Sequence, residues 1–286
     1  MSKFNANWLR GFIDAEGCFN IHISKNSSVK LGWQTKLRFI VDQNSIDKLV
    51  LQEIGNYFGG GRLNLYSQNS AQIVISKQEL IFNYIIPFFD EYPLFTKKRY
   101  DFLKWRECAL IILEGGHLTQ EGFNKIRNIK NYKNNNNNLP IIITELPHTW
   151  VIGFIEGDGN FYLGVHHMSN NRIKVEPRLE IGLHYKDIHI LEKINKFFDY
   201  KGNMNLSGIY PHWSIRGIKN CYNILSFFDK YPLMTIKKSR EYLYWKESVI
   251  LTYNGVHLTE KGQKRIIELK QLLSKKNNKI SNKIEI

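Results

Sequence analysis

"WLRGFIDAEG", residues 8–17, ends a short apolar run on two acidic residues, Asp14 and Glu16, followed by a glycine. "WVIGFIEGDG", residues 150–159, repeats the arrangement with Glu156 and Asp158. Trp8 and Trp150 lie 142 positions apart, as do Gly11 and Gly153, Phe12 and Phe154, Gly17 and Gly159, and Phe19 and Phe161. Farther out, "YPLFTKK" (92–98) returns as "YPLMTIKK" (231–238), and "GHLTQEGFNKI" (116–126) returns as "GVHLTEKGQKRI" (255–266). Three motifs recurring in one order at nearly constant spacing mark an internal duplication. The expected organisation is a first repeat over 1–132, a linker over 133–147, a second repeat over 148–270 and a basic tail over 271–286. The linker holds Asn134 to Asn138 in a row and then "LPIIITELP".

Within each repeat the pattern is helix, strands, helix, strands, helices. Residues 7–15 read as a short helix with Asn7 as N-cap, Thr149 serving the second copy, and Gly17 and Gly159 stopping the two helices. "FNIHI" (19–23) and "WQTKLRFIV" (33–41) read as strands. In the latter Trp33, Thr35, Leu37 and Phe39 share one face, while Gln34, Lys36 and Arg38 share the other. The second copy agrees, with Ile173, Val175, Pro177 and Leu179 opposing Arg172, Lys174, Glu176 and Arg178. "DKLVLQEIGNYFG" (47–59) and "DIHILEKINKFFD" (187–199) have amphipathic helical spacing, and "RLNLY" with "AQIVIS", and "NMNL" with "HWSIR", complete each sheet. The fold class is therefore α+β, with a mostly antiparallel sheet in each half.

The composition narrows the partner. Forty Lys and Arg against 26 Asp and Glu leave a net charge of +14 in 286 residues, which favours a polyanion, nucleic acid ahead of an anionic membrane. Cys18, Cys108 and Cys221 show no CxxC spacing, so neither a zinc site nor a disulfide framework is indicated. His22, His166, His167 and His184 read as strand or surface residues, since no second ligand has zinc spacing. The longest apolar runs, such as "ALIIL" at 109–113, are core-sized and not membrane spans. "MSKFNANW" runs directly into the first motif, so no targeting peptide is expected. The lysines of the tail region, Lys264, Lys270, Lys275, Lys276, Lys279 and Lys283, suit DNA, RNA or solubility alike.

The paired acids have a physical rationale. Gly11 and Ala15, and Gly153 and Gly157, are small residues four apart, a spacing that lets another backbone approach a helix closely. Two such helices packed about a pseudo-twofold axis would bring Glu16 and Asp158 together at their ends. Two close carboxylates repel unless a cation joins them, and the helix C-termini add negative charge there. Such oxygen ligands suit Mg²⁺, which keeps waters and substrate phosphates as its other ligands. Asp14 and Glu156 are expected to cap or orient the turn.

The two decapeptides resemble the signature of the LAGLIDADG homing endonucleases in their single-chain, two-motif form, and "PL-T-KK" and "HLT-G" resemble the organellar, intron-encoded members. The resemblance runs from Trp8 to about Ile267. It implies two pseudo-symmetric αββαββα halves whose antiparallel sheets form a saddle on the DNA major groove. It also implies a monomer that cuts both strands of a long, non-palindromic double-stranded target with Mg²⁺ or Mn²⁺, Ca²⁺ binding without supporting cleavage. The metal ligands would be Glu16 and Asp158. Lys98 and Lys237 match the basic site positions, with Lys238 left open by a one-residue insertion. Gln43 fits an assisting glutamine that its counterpart Leu183 cannot supply. DNA contacts are expected from Asn20, His22, Gln34, Lys36, Arg38, Arg62, Asn64 and Gln72 in the first sheet. In the second they are Tyr162, His166, Arg172, Lys174, Glu176, Arg178, Asn203, Asn205, Ser214 and Arg216. The alternative is an RNA-binding maturase that assists splicing of a group I intron, alone or in addition. The resemblance places the protein in the organelle that encodes it, a mitochondrion.

Overall fold

In the computed structural model, which describes residues 4–132, 145–169 and 172–274, the first decapeptide is helix α1 (Ala6–Glu16). Its cap is Asn5 and not Asn7: the Asn5 side chain accepts from the amides of Asn7 and Trp8, two orphan donors of the first turn. Thr149 likewise lies inside the second decapeptide helix, His148–Asp158, too late to cap it. Nor does Gly17 stop α1 by turning left-handed, since its φ of −74° and ψ of 152° are extended and it begins strand β1 (Gly17–Lys25). Glycine is required there for space, because a Cβ would lie 2.4 Å from Ile13 Cγ2 and 2.8 Å from the Ile13 carbonyl oxygen.

The chain continues through β2 (Trp33–Gln43), α2 (Lys48–Tyr57), β3 (Arg62–Ser67) and β4 (Ser70–Ile75). Helix α3 (Gln78–Leu80), a π-helical stretch (Ile81–Ile85) and α4 (Ile86–Glu91) follow, then α5 (Lys98–Leu113) and α6 (Gln120–Asn131). The second copy runs α7 (His148–Asp158), β5 (Gly159–His167), β6 (Ile173–Gly182), α8 (Ile188–Phe197), β7 (Gly202–Asn205) and β8 (His212–Arg216). It ends with α9 (Ile218–Asn223), α10 (Leu225–Lys230), α11 (Ile236–Tyr253) and α12 (Glu260–Ser274). Each copy thus has the expected αββαββα order. The sheets are antiparallel, ordered β1-β2-β4-β3 and β5-β6-β8-β7.

By packing, the chain divides into Met1–Gly157 and Asp158–Ile286. The division falls at the end of α7 and not in the linker, because α7 packs on α1 of the first unit. Of the linker, 133–144 lies outside the described residues, as does 275–286 of the tail with Lys275, Lys276, Lys279 and Lys283.

Alternation sets each core. In β2 Leu37, Phe39 and Val41 are buried, and in β6 Ile173, Pro177, Leu179 and Ile181 are. Phe19 meets Phe39, Phe89, Phe102 and Trp105 at centroid distances of 5.3–5.6 Å in the first unit. Its counterpart Phe161 meets Phe228, Tyr242 and Trp245 at 5.3–5.4 Å in the second. Each fully buried aromatic of this kind is worth roughly 1.5–3 kcal/mol of transfer free energy, so these clusters anchor the helices beneath the sheets. The opposite sheet faces remain polar.

Candidate active site and nucleic-acid interface

The glycines of the decapeptides are where the α1 and α7 backbones meet. A Cβ on Gly11 would lie 2.2 Å from the Trp150 carbonyl oxygen, and one on Gly153 2.2 Å from that of Trp8. Lower down, a Cβ on Gly157 would fall 2.3 Å from Ala15 Cβ and 3.0 Å from Glu16 Cγ. Trp8 Nε1 donates to Glu156 Oε1 at 2.8 Å, and Trp150 Nε1 to Asp14 Oδ2 at 2.8 Å.

Asp14 is buried, and its carboxylate also accepts from the Phe95 and Thr96 amides and the Thr96 hydroxyl. Burial pushes its pKa up, against the pull of these donors. Asp14 therefore ties α1 to the "PLFT" segment and to α7, and it has no outlet to a ligand. Glu16, at the last residue of α1, is half-buried, and Asp158, at the last residue of α7, is exposed.

"KK" enters from below. Lys98, first residue of α5, donates through Nζ to the Ala15 carbonyl and, at 3.5 Å, to that of Ile13, placing its ammonium at the negative end of α1. In the second unit it is Lys238 whose Nζ reaches the first residue of the following strand, donating to Gly159 O at 2.6 Å, with Glu241 Oε2 at 3.1 Å. Trp105 of α5 and Trp245 of α11 are 140 apart, and Lys98 and Lys238 share that offset. The extra residue, Ile236, opens α11, so counting back from the tryptophans pairs Lys98 with Lys238, whereas counting from "PL-T" pairs it with Lys237. Gln43 ends β2 with the parity of Val41, and its Oε1 accepts from the Asn44 amide at 2.8 Å.

Each unit offers one carboxylate, Glu16 or Asp158, at the end of its decapeptide helix, with a lysine ammonium bonded to a neighbouring backbone carbonyl, Lys98 on Ala15 and Lys238 on Gly159. Among the described residues no group of three or more His, Cys, Asp or Glu side chains gathers into a metal cage. Such a sparse set fits Mg²⁺, which takes one or two protein carboxylates and leaves its other positions to water and phosphate. The three thiols are free, and burial raises Cys108 and Cys221 to about 12, so neither is a nucleophile at neutral pH.

On the polar face of the first sheet, Asn20 stands opposite Arg38, His22 opposite Lys36, and Asn64 opposite Gln72, with Arg62 on the same side. On that of the second, Tyr162 stands opposite Arg178, His166 opposite Lys174, and Asn203 opposite Ser214, with Asn205, Glu176 and Arg216 beside them. Arg172 lies exposed just before β6. Gln34 continues the first row. Two expected contacts are buried within their faces, Gln72 and Ser214, and Ser214 Oγ accepts from Arg216 Nε at 2.8 Å. Sequence reasoning passed over Glu180 and Asp42, although both fall on the ligand-facing parity of their strands. Among the described residues no helix is long and apolar enough to cross a membrane.

Comparison with known proteins agrees with this geometry. The family model described as "LAGLIDADG endonuclease" matches residues 9–109 and 151–249. The Neurospora crassa protein "Probable intron-encoded endonuclease 2" is 31% identical over 94% of this chain and 65% of its own. "Probable intron-encoded endonuclease Cox1-I1b" of Schizosaccharomyces pombe is 30% identical over 84% of this chain and 58% of its own. The chain thus spans somewhat more than half the length of these relatives. Among solved structures, I-SmaMI bound to uncleaved DNA target in the presence of calcium ions superposes with a TM-score of 0.87 at 26% identity, covering 94% of this chain and 98% of that one. The LAGLIDADG meganuclease I-CpaMI bound to uncleaved DNA gives 0.87 at 27% identity, covering 96% and 100%. With both decapeptides, the duplicated αββαββα order and a two-part family match all in register, the chain belongs to the LAGLIDADG endonuclease family.

Proposed function

We propose that the chain is a site-specific DNA endonuclease that acts as a monomer and makes a divalent-metal-dependent double-strand break in a long, non-palindromic target. The observation that carries this reading is the packing at the decapeptide ends. Gly157, the residue before Asp158, abuts the Glu16 side chain, with a Cβ there only 3.3 Å from Glu16 Oε1. A duplicated glycine contact that delivers acids to helix ends has little purpose in a purely structural hairpin.

Glu16 and Asp158 would hold Mg²⁺ or Mn²⁺, which activates water and neutralises the leaving oxygen. Lys98 and Lys238, anchored on backbone carbonyls, would face the charge that builds on the phosphate, and Gln43 would help orient water in the first half. Asp14 and Glu156 brace the helices. The polar sheet faces would read the major groove, as β-ribbons do. The fungal intron-encoded relatives support synthesis inside a mitochondrion from an intron reading frame. The maturase alternative gains no support, because these relatives carry endonuclease names and the solved neighbours are described on DNA.

The test is cleavage selection from a randomised duplex pool with Mg²⁺, followed by Glu16→Gln and Asp158→Asn on the selected site. Loss of double-strand cutting with binding retained supports the reading. Full cutting by either variant removes that residue from the metal site.

A further inference from the structure

Arg38 of β2 and Arg178 of β6 hold matched places on their sheets, across from Asn20 and Tyr162. Their surroundings differ. No ion pair joins the Arg38 guanidinium to another described residue, whereas Arg178 is clamped on both sides. Its NH2 lies 3.2 Å from Glu176 Oε2 and its NH1 3.4 Å from Glu180 Oε1, with Cζ 5.0 Å from the centre of the Tyr162 ring.

The two carboxylates are themselves occupied. Glu176 Oε1 takes Lys174 Nζ at 2.6 Å and its Oε2 also has His166 Nε2 at 3.5 Å, while Glu180 Oε2 accepts from Asn160 Nδ2 at 3.5 Å. Gly164 faces Glu176 across the ladder, and a Cβ there would come within 3.3 Å of Glu176 Cβ, so the glycine leaves the acid its position. Both oxygens of Glu176 being engaged, it is badly placed to accept from a cytosine amino group itself. An arginine held at both terminal nitrogens over a ring still has spare N–H groups in a fixed plane, and guanine offers O6 and N7 to such a fork.

We propose that Arg178 is a pre-set guanine reader of the second half, and that Glu176 and Glu180 are positioning residues that hold its fork. The proposal rests on the DNA-binding reading given above. It assigns Glu180 a role and moves Glu176 from base contact to support. A long side chain that is already ordered loses less freedom on binding, so Arg178 should discriminate more sharply than the unclamped Arg38.

The experiment is a binding profile of the full chain over every single-base variant of its selected site, for wild type, Arg178→Lys, Glu176→Gln and Glu180→Gln, with melting midpoints taken in parallel. Arg178→Lys should lower preference for one guanine by roughly 5- to 150-fold. Each glutamine variant should lose part of that preference at the same base pair, while affinity for unrelated DNA holds or rises with the loss of a negative charge. A Glu176→Gln effect at a different base pair would make Glu176 a direct reader and overturn the proposal. A loss shared by all sequences would make Arg178 a phosphate contact and overturn it too. A wild-type chain that selects no duplex at all would instead bring down the DNA-binding reading, and this proposal with it.

Discussion

The indole nitrogen of Trp8 donates to the Glu156 carboxylate at 2.8 Å, and the same bond is made in reverse between Trp150 and Asp14 at 2.8 Å. Trp8 and Trp150, and Asp14 and Glu156, are each related by 142 positions, so every copy of the decapeptide supplies a donor to the other and an acceptor from it. The first acidic residue of each motif is thereby consumed in locking α1 to α7. The second, Glu16 or Asp158, is left at the helix end.

That lock depends on close backbone approach. Gly11→Ala or Gly153→Ala should destabilise the fold by about 1–3 kcal/mol or more, because a Cβ placed 2.2 Å from a carbonyl oxygen forces the helices apart. Trp8→Phe should cost about 1–3 kcal/mol by removing a buried donor from Glu156 while keeping the ring stack with Phe12. Chemical denaturation midpoints measure both. An unchanged Gly11→Ala midpoint would mean that the helices yield freely.

Asp14 predicts a pH dependence. Its pKa is raised above the unfolded value by burial, so the folded state holds the proton more tightly. Stability from this group is fully present below the unfolded carboxylate pKa, about 3.9, and is lost as pH rises through the raised folded value. Asp14→Asn should therefore remove part of the fall in stability between mildly acidic and neutral pH. Melting midpoints of wild type and variant at several pH values check it, and parallel curves would show that Asp14 titrates normally.

Much of this is legible from the two decapeptides alone. Their shared glycines point to the close helix pair, and strand alternation correctly places Leu37 and Phe39 inside with Lys36 and Arg38 outside. Spacing leaves a choice where one residue is inserted. Counting from "PL-T" favours Lys237 as the match for Lys98, whereas counting back from Trp245, a buried anchor of α11, favours Lys238. Caps are misread for a similar reason: Asn5 and Asn7 both suit an N-cap, and only tertiary packing decides where the first turn begins. Glu180 is within reach, since the row Lys174, Glu176, Arg178 extends to it by simple alternation.

The lysine assignment gives a direct comparison. Lys98→Met and Lys238→Met should each lower the single-turnover cleavage rate roughly 100-fold or more with little change in affinity, as loss of one transition-state donor does. Lys237→Met should have a much smaller effect. Because Lys238 also reaches Gly159 O and Glu241, its melting midpoint must be followed alongside the rate. A Lys237→Met variant slower than Lys238→Met would restore the order that sequence matching preferred.

Arg38 tests how the first half reads its site. It shares a face with Lys36 and Gln34, and the opposite side of β2 is committed to the core through Leu37 and Phe39, so the guanidinium is available to a groove. Arginine to guanine O6 and N7 is worth about 1–3 kcal/mol of discrimination, and it acts at one base pair. Arginine to phosphate is blind to sequence and shows instead as a salt slope, which becomes shallower by about 0.9 for each phosphate no longer neutralised. Arg38→Ala should therefore relax one or two adjacent positions on one side of the cleavage centre and leave the salt slope nearly intact. The measurement is affinity across all single-base variants of the target at two or more salt concentrations. A uniform loss with a shallower slope would make Arg38 a phosphate anchor, and base reading in the first half would then fall to its uncharged neighbours, Asn20 and Gln34.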